Sequence, residues 1–102
     1  NSNFHAVFSV LKDKDVDKIL NLLKGFFTSW HISNSKNERA LNVNELKKND
    51  FFITENLFAY DSIEKAYDRA IEFIDNKQDI IVVFGSSYTI APILQREYKK
   101  NE

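Results

Sequence analysis

Apolar positions along this chain change period repeatedly, and each change marks a new element. Phe4–Leu11 is mostly apolar with a β-branched and aromatic bias, which predicts a strand. Asp15 then stands as a helix cap before Val16, Ile19, Leu20 and Leu23, which recur at helical spacing, and Gly25 is the stop. Phe26–Ile32 predicts a second strand with aromatic bulk, and the polar run Ser33–Arg39 a loop. Asn42 caps a short helix to about Lys48, with Leu41, Val43 and Leu46 turned inward. The stretch Asp50–Ala59 is ambiguous. Its best strand is Asn56–Tyr60, with Phe51-Phe52 packed beneath as an insertion. Asp61-Ser62-Ile63-Glu64 has the pattern of a capping box, Asp61 being the acceptor and Glu64 its partner. Ile63, Ala66, Tyr67, Ala70, Ile71 and Ile74 follow on one helical face, closed by Asn76. Ile80–Phe84 is apolar on both faces, as a strand buried in a parallel sheet must be, and a last helix runs to about Tyr98.

This alternation predicts an α/β fold: a Rossmann-like, open, mostly parallel sheet with helices on both faces. With 102 residues the chain is one domain, read here as residues 4–98. Asn1–Asn3 is set aside as a loop remnant or tag, and Lys99–Glu102 as a tail. The turn after Ile80–Phe84 carries the most chemical information. Gly85 permits a tight bend, and Ser86 and Ser87 offer hydroxyls and free amides at the sheet edge where open α/β sheets bind ligands. Helix N-terminal amides there favour a carboxylate or phosphate; the plain alternative is a helix cap. Pro92 complicates that corner. A helix starting at Ser87 would lose a backbone bond there, so the first turn is expected to be irregular, or regular helix to start near Thr89.

Composition narrows the partners. A net charge of -1, with lysine pairs set between acids, argues against a nucleic-acid or acidic-membrane partner. The chain has no cysteine, so it has neither a disulfide nor a thiolate metal site. No apolar run approaches a membrane span and no secretory signal opens the chain, which suits a cytoplasmic protein. His5 and His31 stand too isolated for a metal site or catalytic dyad, and packing or surface roles are expected of them. No catalytic triad or acid–base pair is recognisable.

The ordered series HAVFSVLKDKDVDKIL, FFTSWHIS, NERALNVNEL, YDSIEKAYDRAIEF and IIVVFGSSYTIAPIL resembles the C-terminal domain of folylpolyglutamate synthase. The likeness is strongest to the bacterial form that is also a dihydrofolate synthase, in the Mur ligase superfamily. It runs from His5 to Leu94. The resemblance implies an ATP-dependent amide ligase: ATP phosphorylates a carboxylate of dihydropteroate or a folate, and the amine of L-glutamate displaces phosphate. An N-terminal domain in cis would carry the P-loop, most of the ATP and Mg ligands and most of the pterin site. The C-terminal domain would supply the glutamate pocket. The family's opening strand with Asp-x-x-His-Asn-Pro, and the helix after it, are not found in this chain. A truncated domain, inactive alone, is therefore expected. The missing strand is expected centrally, so Phe4–Leu11 and Ile80–Phe84 should either pair directly or leave a gap for self-association through a neighbouring molecule.

On this resemblance Ser86 matches the serine associated with glutamate binding, and Tyr88 stands where related enzymes carry His or Tyr. Ser87 and, more weakly, Thr89 are candidates by adjacency. Arg39 offers a fork suited to a carboxylate, and Asp13, Lys14 and Asp15 lie at the nucleotide or interdomain edge. Each has a plainer reading: Ser86 and Asp15 as caps, Tyr88 as a packing residue, Arg39 and Lys14 as surface charges. Two other functions fit the same elements. One is a stand-alone non-catalytic α/β binding domain; the other is the C-terminal domain of a peptidoglycan Mur ligase.

Overall fold

The computed structural model describes residues 2–100. Four strands form one sheet: β1 (Phe4–Phe8), β2 (Ser29–Ile32), β3 (Leu57–Ala59) and β4 (Ile80–Phe84). All pairings are parallel, in the order β3-β2-β1-β4. Helices α1 (Val16–Leu22) and α2 (Val43–Leu46) and a 3₁₀ turn (Asp50–Thr54) cover one face; α3 (Ile63–Glu72) and α4 (Ser87–Lys99) cover the other. The α/β class and the parallel sheet are thus as the hydrophobic pattern predicts.

Alternation along the strands builds two cores. Ala6 and Phe8 of β1 meet Trp30 and Ile32 of β2, with Val82 and Phe84 of β4 beside them, beneath Leu20, Leu46 and Phe52. Val7 points the opposite way, into Ile63, Ala66 and Ala70 of α3 and Ile93 of α4. Burying one such large side chain contributes about 1.5–3 kcal/mol. Packing of this kind, rather than intrinsic propensity, holds a helix as short as α1.

Side-chain caps set the helix starts. Asp15 accepts from the amide of Lys18, and Asn42 from that of Asn44. At α3 the capping box is not formed as written in the sequence. Ser62, not Asp61, is the cap and accepts from the Lys65 amide, so Glu64 falls one position short of the reciprocal bond. Helix α3 also ends at Glu72, before Asn76, and Ile71 and Ile74 are only partly covered, 41% and 38% exposed.

Three further expectations need correction. β1 ends at Phe8 because the chain leaves the sheet there, and Leu11 makes an antiparallel bridge to Ala40. β2 begins only at Ser29, because Phe26 is held in the turn after α1 by its bond to the Leu23 carbonyl. α4 is continuous from Ser87 through Pro92 to Lys99. The proline removes one bond, to the carbonyl of Tyr88, a residue 43% exposed.

No central gap exists. β1 and β4 pair over five residues, from Phe4 with Ile80 to Phe8 with Phe84. Their facing backbone groups are therefore satisfied, and a neighbouring molecule has no space to enter between them. Asn1, Asn101 and Glu102 lie outside the described residues. Asn3 is tied into the sheet end: its amide donates to Asp79 Oδ1 at 3.0 Å, and its carbonyl accepts from Ile80 at 2.9 Å.

Candidate functional site

The parallel strands bring the loops after β1, β2, β3 and β4 to one edge of the sheet. Helix α4 starts there because Gly85 has φ +121°; a Cβ at that position would lie 1.7 Å from the Ser9 carbonyl oxygen. Glycine therefore lets the corner close onto the end of β1. Ser86 is the N-cap residue of α4, but its hydroxyl caps no amide. It lies instead 3.2 Å from Thr89 Oγ1, which is also 2.5 Å from Ser9 Oγ and donates to the Ser9 carbonyl at 3.2 Å. Thr89 is fully buried, so it is a structural member of this hydroxyl cluster. The amides of Ser87 and Tyr88 belong to the first helical turn, which has no intrahelical acceptor for them.

A cleft of about 340 Å³ opens beside this corner, lined by Lys36 of the β2–α2 loop, Glu64 of α3, and Tyr88, Gln95, Arg96 and Lys99 of α4. A recess of about 90 Å³ adjoins it at the start of α3, where Ser35 Oγ is buried without a partner. Tyr88 lines the cleft; Ser86, Ser87 and Thr89 do not. The α3–α4 wall is stapled: Tyr67 donates to Glu97 at 2.6 Å, and Arg96 pairs with Asp68 and lies over the Tyr67 ring. Burial, followed by that bond to Glu97, pushes the Tyr67 hydroxyl up to about 12, so it stays a neutral donor.

Asp13 and Arg39 come together elsewhere on the same edge. Their side chains are 3.9 Å apart and exposed, and the Lys12 amide donates to the Arg39 carbonyl at 2.8 Å. Lys14 is exposed and makes no ion pair among the described residues. Asp15 caps α1, which occupies one of its oxygens. The proposed residues thus fall into three groups: the Ser86–Thr89 corner, the Tyr88 cleft and the Asp13–Arg39 pair. Lys36, Glu64, Gln95 and Arg96 were not singled out from the sequence. The signal was there on α4, where Tyr88, Gln95 and Lys99 share a face at helical spacing.

No family model matches the chain. Two curated relatives do, both named dihydrofolate synthase/folylpolyglutamate synthase and both from Buchnera aphidicola. The relative from subspecies Schizaphis graminum is 34% identical over 90 residues, 88% of this chain. The relative from subspecies Acyrthosiphon pisum is 37% identical over 90 residues. The chain spans about one fifth of each relative's length, 21% in both cases. Among solved structures, E. coli FolC in complex with DHPP and ADP superposes over 100% of this chain and 23% of its own, with a TM-score of 0.85. At 24% identity that likeness shows the fold alone. Mycobacterium tuberculosis folylpolyglutamate synthase complexed with ADP has a TM-score of 0.82 at 28% identity, covering 92% of this chain and 23% of its own. By sequence and fold together, this chain belongs to the dihydrofolate synthase/folylpolyglutamate synthase family, spanning about one fifth of the length of the relatives it matches.

Proposed function

We propose that the chain is the glutamate-binding C-terminal domain of an ATP-dependent folate–glutamate amide ligase. The observation that carries this reading is the match to dihydrofolate synthase/folylpolyglutamate synthase relatives along 88% of the chain. The geometry supports it: free helix amides and a cationic cleft lie on the ligand edge of a parallel sheet. In this reading the amides of Ser87 and Tyr88, with the Ser86 hydroxyl, receive the α-carboxylate of L-glutamate. Arg39 is the candidate for a second carboxylate, and Asp13, Lys14 and Asp15 face the nucleotide-bearing domain. The acceptor is dihydropteroate or a folate; its carboxylate is phosphorylated by ATP, and the glutamate amine attacks that carbon and expels phosphate.

Solved neighbours were crystallised with ADP, or with AMPPNP and Mn. Among the described residues no three His, Asp or Glu side chains converge. In this reading ATP and its metal are held mainly by an N-terminal domain in cis. No helix among the described residues is long and apolar enough to cross a membrane; the proposed ligase is a cytoplasmic one.

The test is binding. With the isotope-labelled chain, L-glutamate should move the amide resonances of Ser86–Thr89 and leave those of β3 unchanged. In the full-length ligase, Ser86→Ala should raise the KM for glutamate several-fold and leave the KM for ATP unchanged. An equal rise in both would contradict the assigned role.

A further inference from the structure

Beneath α3, five polar side chains cross the sheet from one edge to the other. Tyr60 OH lies 2.9 Å from His31 Nδ1, and His31 Nε2 lies 2.8 Å from Ser29 Oγ. Ser29 Oγ lies 2.7 Å from His5 Nδ1, and His5 Nε2 lies 3.6 Å from Asp79 Oδ2. His5, Ser29 and His31 are each at most 2% exposed, and the Asp79 carboxyl is wholly buried. The register places them so: Ser29 pairs with His5 across the strands, and His31 stands two residues further along the same face of β2.

The direction of these bonds follows from counting protons. A serine hydroxyl carries one proton, and a neutral imidazole carries one N–H and one bare nitrogen. Asp79 is ionised: its oxygens accept from the amides of Asp75 at 2.9 Å and Asn3 at 3.0 Å, which hold the carboxyl below its ordinary range. A bare His5 nitrogen facing that anion would be repelled, so the Nε2 of His5 carries its proton. Nδ1 of His5 then accepts from Ser29, Ser29 accepts from Nε2–H of His31, and Nδ1 of His31 accepts from Tyr60. In this arrangement the three hydrogen bonds from His5 to Tyr60 each have one donor and one acceptor, and the Nε2–H of His5 faces the Asp79 anion at 3.6 Å without a hydrogen bond; the reverse arrangement sets two acceptors face to face at Asp79.

We propose that Tyr60, His31, Ser29, His5 and Asp79 form a polarised proton relay through the domain, in which protonating His5 reverses every bond between His5 and Tyr60. The protons balance. Ser29 passes its proton to His5 Nδ1, His31 Nε2 passes one to Ser29, Tyr60 passes one to His31 Nδ1, and solvent returns one to half-exposed Tyr60. Before and after, each of the three hydrogen bonds between His5 and Tyr60 holds one donor and one acceptor. The added charge rests on His5 beside Asp79. His31 remains neutral, its imidazole held at about 4 by burial and then by His5. Charged groups reach the chain from α3 as well: Arg69 and Glu72 act on Tyr60, in opposite senses. Phe73, which follows α3, packs on His31 with ring centroids 4.7 Å apart and brings no charge. The relay joins Asp79, at the start of β4, to Tyr60, which lines a surface groove of about 430 Å³ with Lys47, Asp61 and Lys65.

Nitrogen-15 spectra of the histidine-labelled chain test this. Near neutral pH both rings should carry their proton on Nε2. On acidification, His31 should move its proton to Nδ1 with the same midpoint as His5 gains its second proton. A starting Nδ1–H form in either ring overturns the proposal, as does a His31 ring that ignores the titration of His5. Ser29→Ala should uncouple the two rings, so that His5 titrates and His31 keeps its tautomer; retained coupling also overturns it. Should that variant fail to fold, Asp79→Asn serves instead. Removing the counter-charge should move the shared midpoint to lower pH for both rings together, and a shift in only one overturns the relay.

Discussion

The two faces of the sheet are stabilised by different physics. Under α1, α2 and the 3₁₀ turn the contacts are rings on rings. Trp30 lies 5.0 Å from Phe27, 5.6 Å from Phe8 and 5.5 Å from Phe52, mostly edge to face. Its indole N–H leaves the apolar cluster to reach Glu55 at 3.1 Å. Under α3 the same strands present a row of polar groups among small apolar residues, Ala66 and Ala70 letting the helix approach closely. The aromatic face depends on volume, and pH hardly touches it. The polar face depends on donors matching acceptors in the dry interior, where one lost partner strands its neighbours.

The largest expected effect lies on the aromatic face. Trp30→Ala should cost about 3–5 kcal/mol in urea unfolding, by lost transfer energy and a residual cavity, and the loss should be the same at pH 5 and pH 7. A loss that varied with pH would break the contrast between the faces.

Acid comes next, and acts on the other face. His31 titrates at about 4 when folded, against 6.5 for a free imidazole. The unfolded chain therefore binds the proton more readily. Stability from this group is complete above pH 6.5 and declines as pH falls toward 4, by on the order of 3 kcal/mol at most. His31→Phe should flatten that part of the stability–pH curve, measured by denaturant midpoints across the range.

Ser29→Ala should cost about 1–3 kcal/mol, because it leaves a ring nitrogen of each histidine buried without its partner. A cost near zero would mean that the polar row is incidental to folding. The smallest effect is expected outside both faces. Arg39→Ala breaks an exposed pair with Asp13 and should change stability by less than about 1 kcal/mol, while the proposed function adds a raised KM for glutamate.

Much of the fold could be read from local signals. Asp15 and Asn42 cap the helices they precede, and Gly85 stands where only a glycine fits. Errors of the reading lie where tertiary contacts override local preference: the cap at Ser62 rather than Asp61, the early end of β1, and the unbroken α4 through Pro92. The candidate site was legible in one part. Tyr88 lines a cleft, whereas Lys36 and Glu64 reach it only because the β2–α2 loop and the first turn of α3 meet α4 there.

His5 and His31 mark the boundary most clearly. As isolated letters 26 positions apart they suggest nothing, and packing or surface roles were expected of both. Parallel pairing sets Ser29 opposite His5 and makes the three one chain. The order of elements, the caps at Asp15 and Asn42 and the glycine of the β4–α4 turn follow from the sequence alone, since periodicity, short side-chain acceptors and glycine act over a few residues. Strand register, direct pairing of β1 with β4, and the meeting of distant polar groups were decided only by the tertiary structure, because burial and hydrogen-bond matching are satisfied by the whole sheet at once.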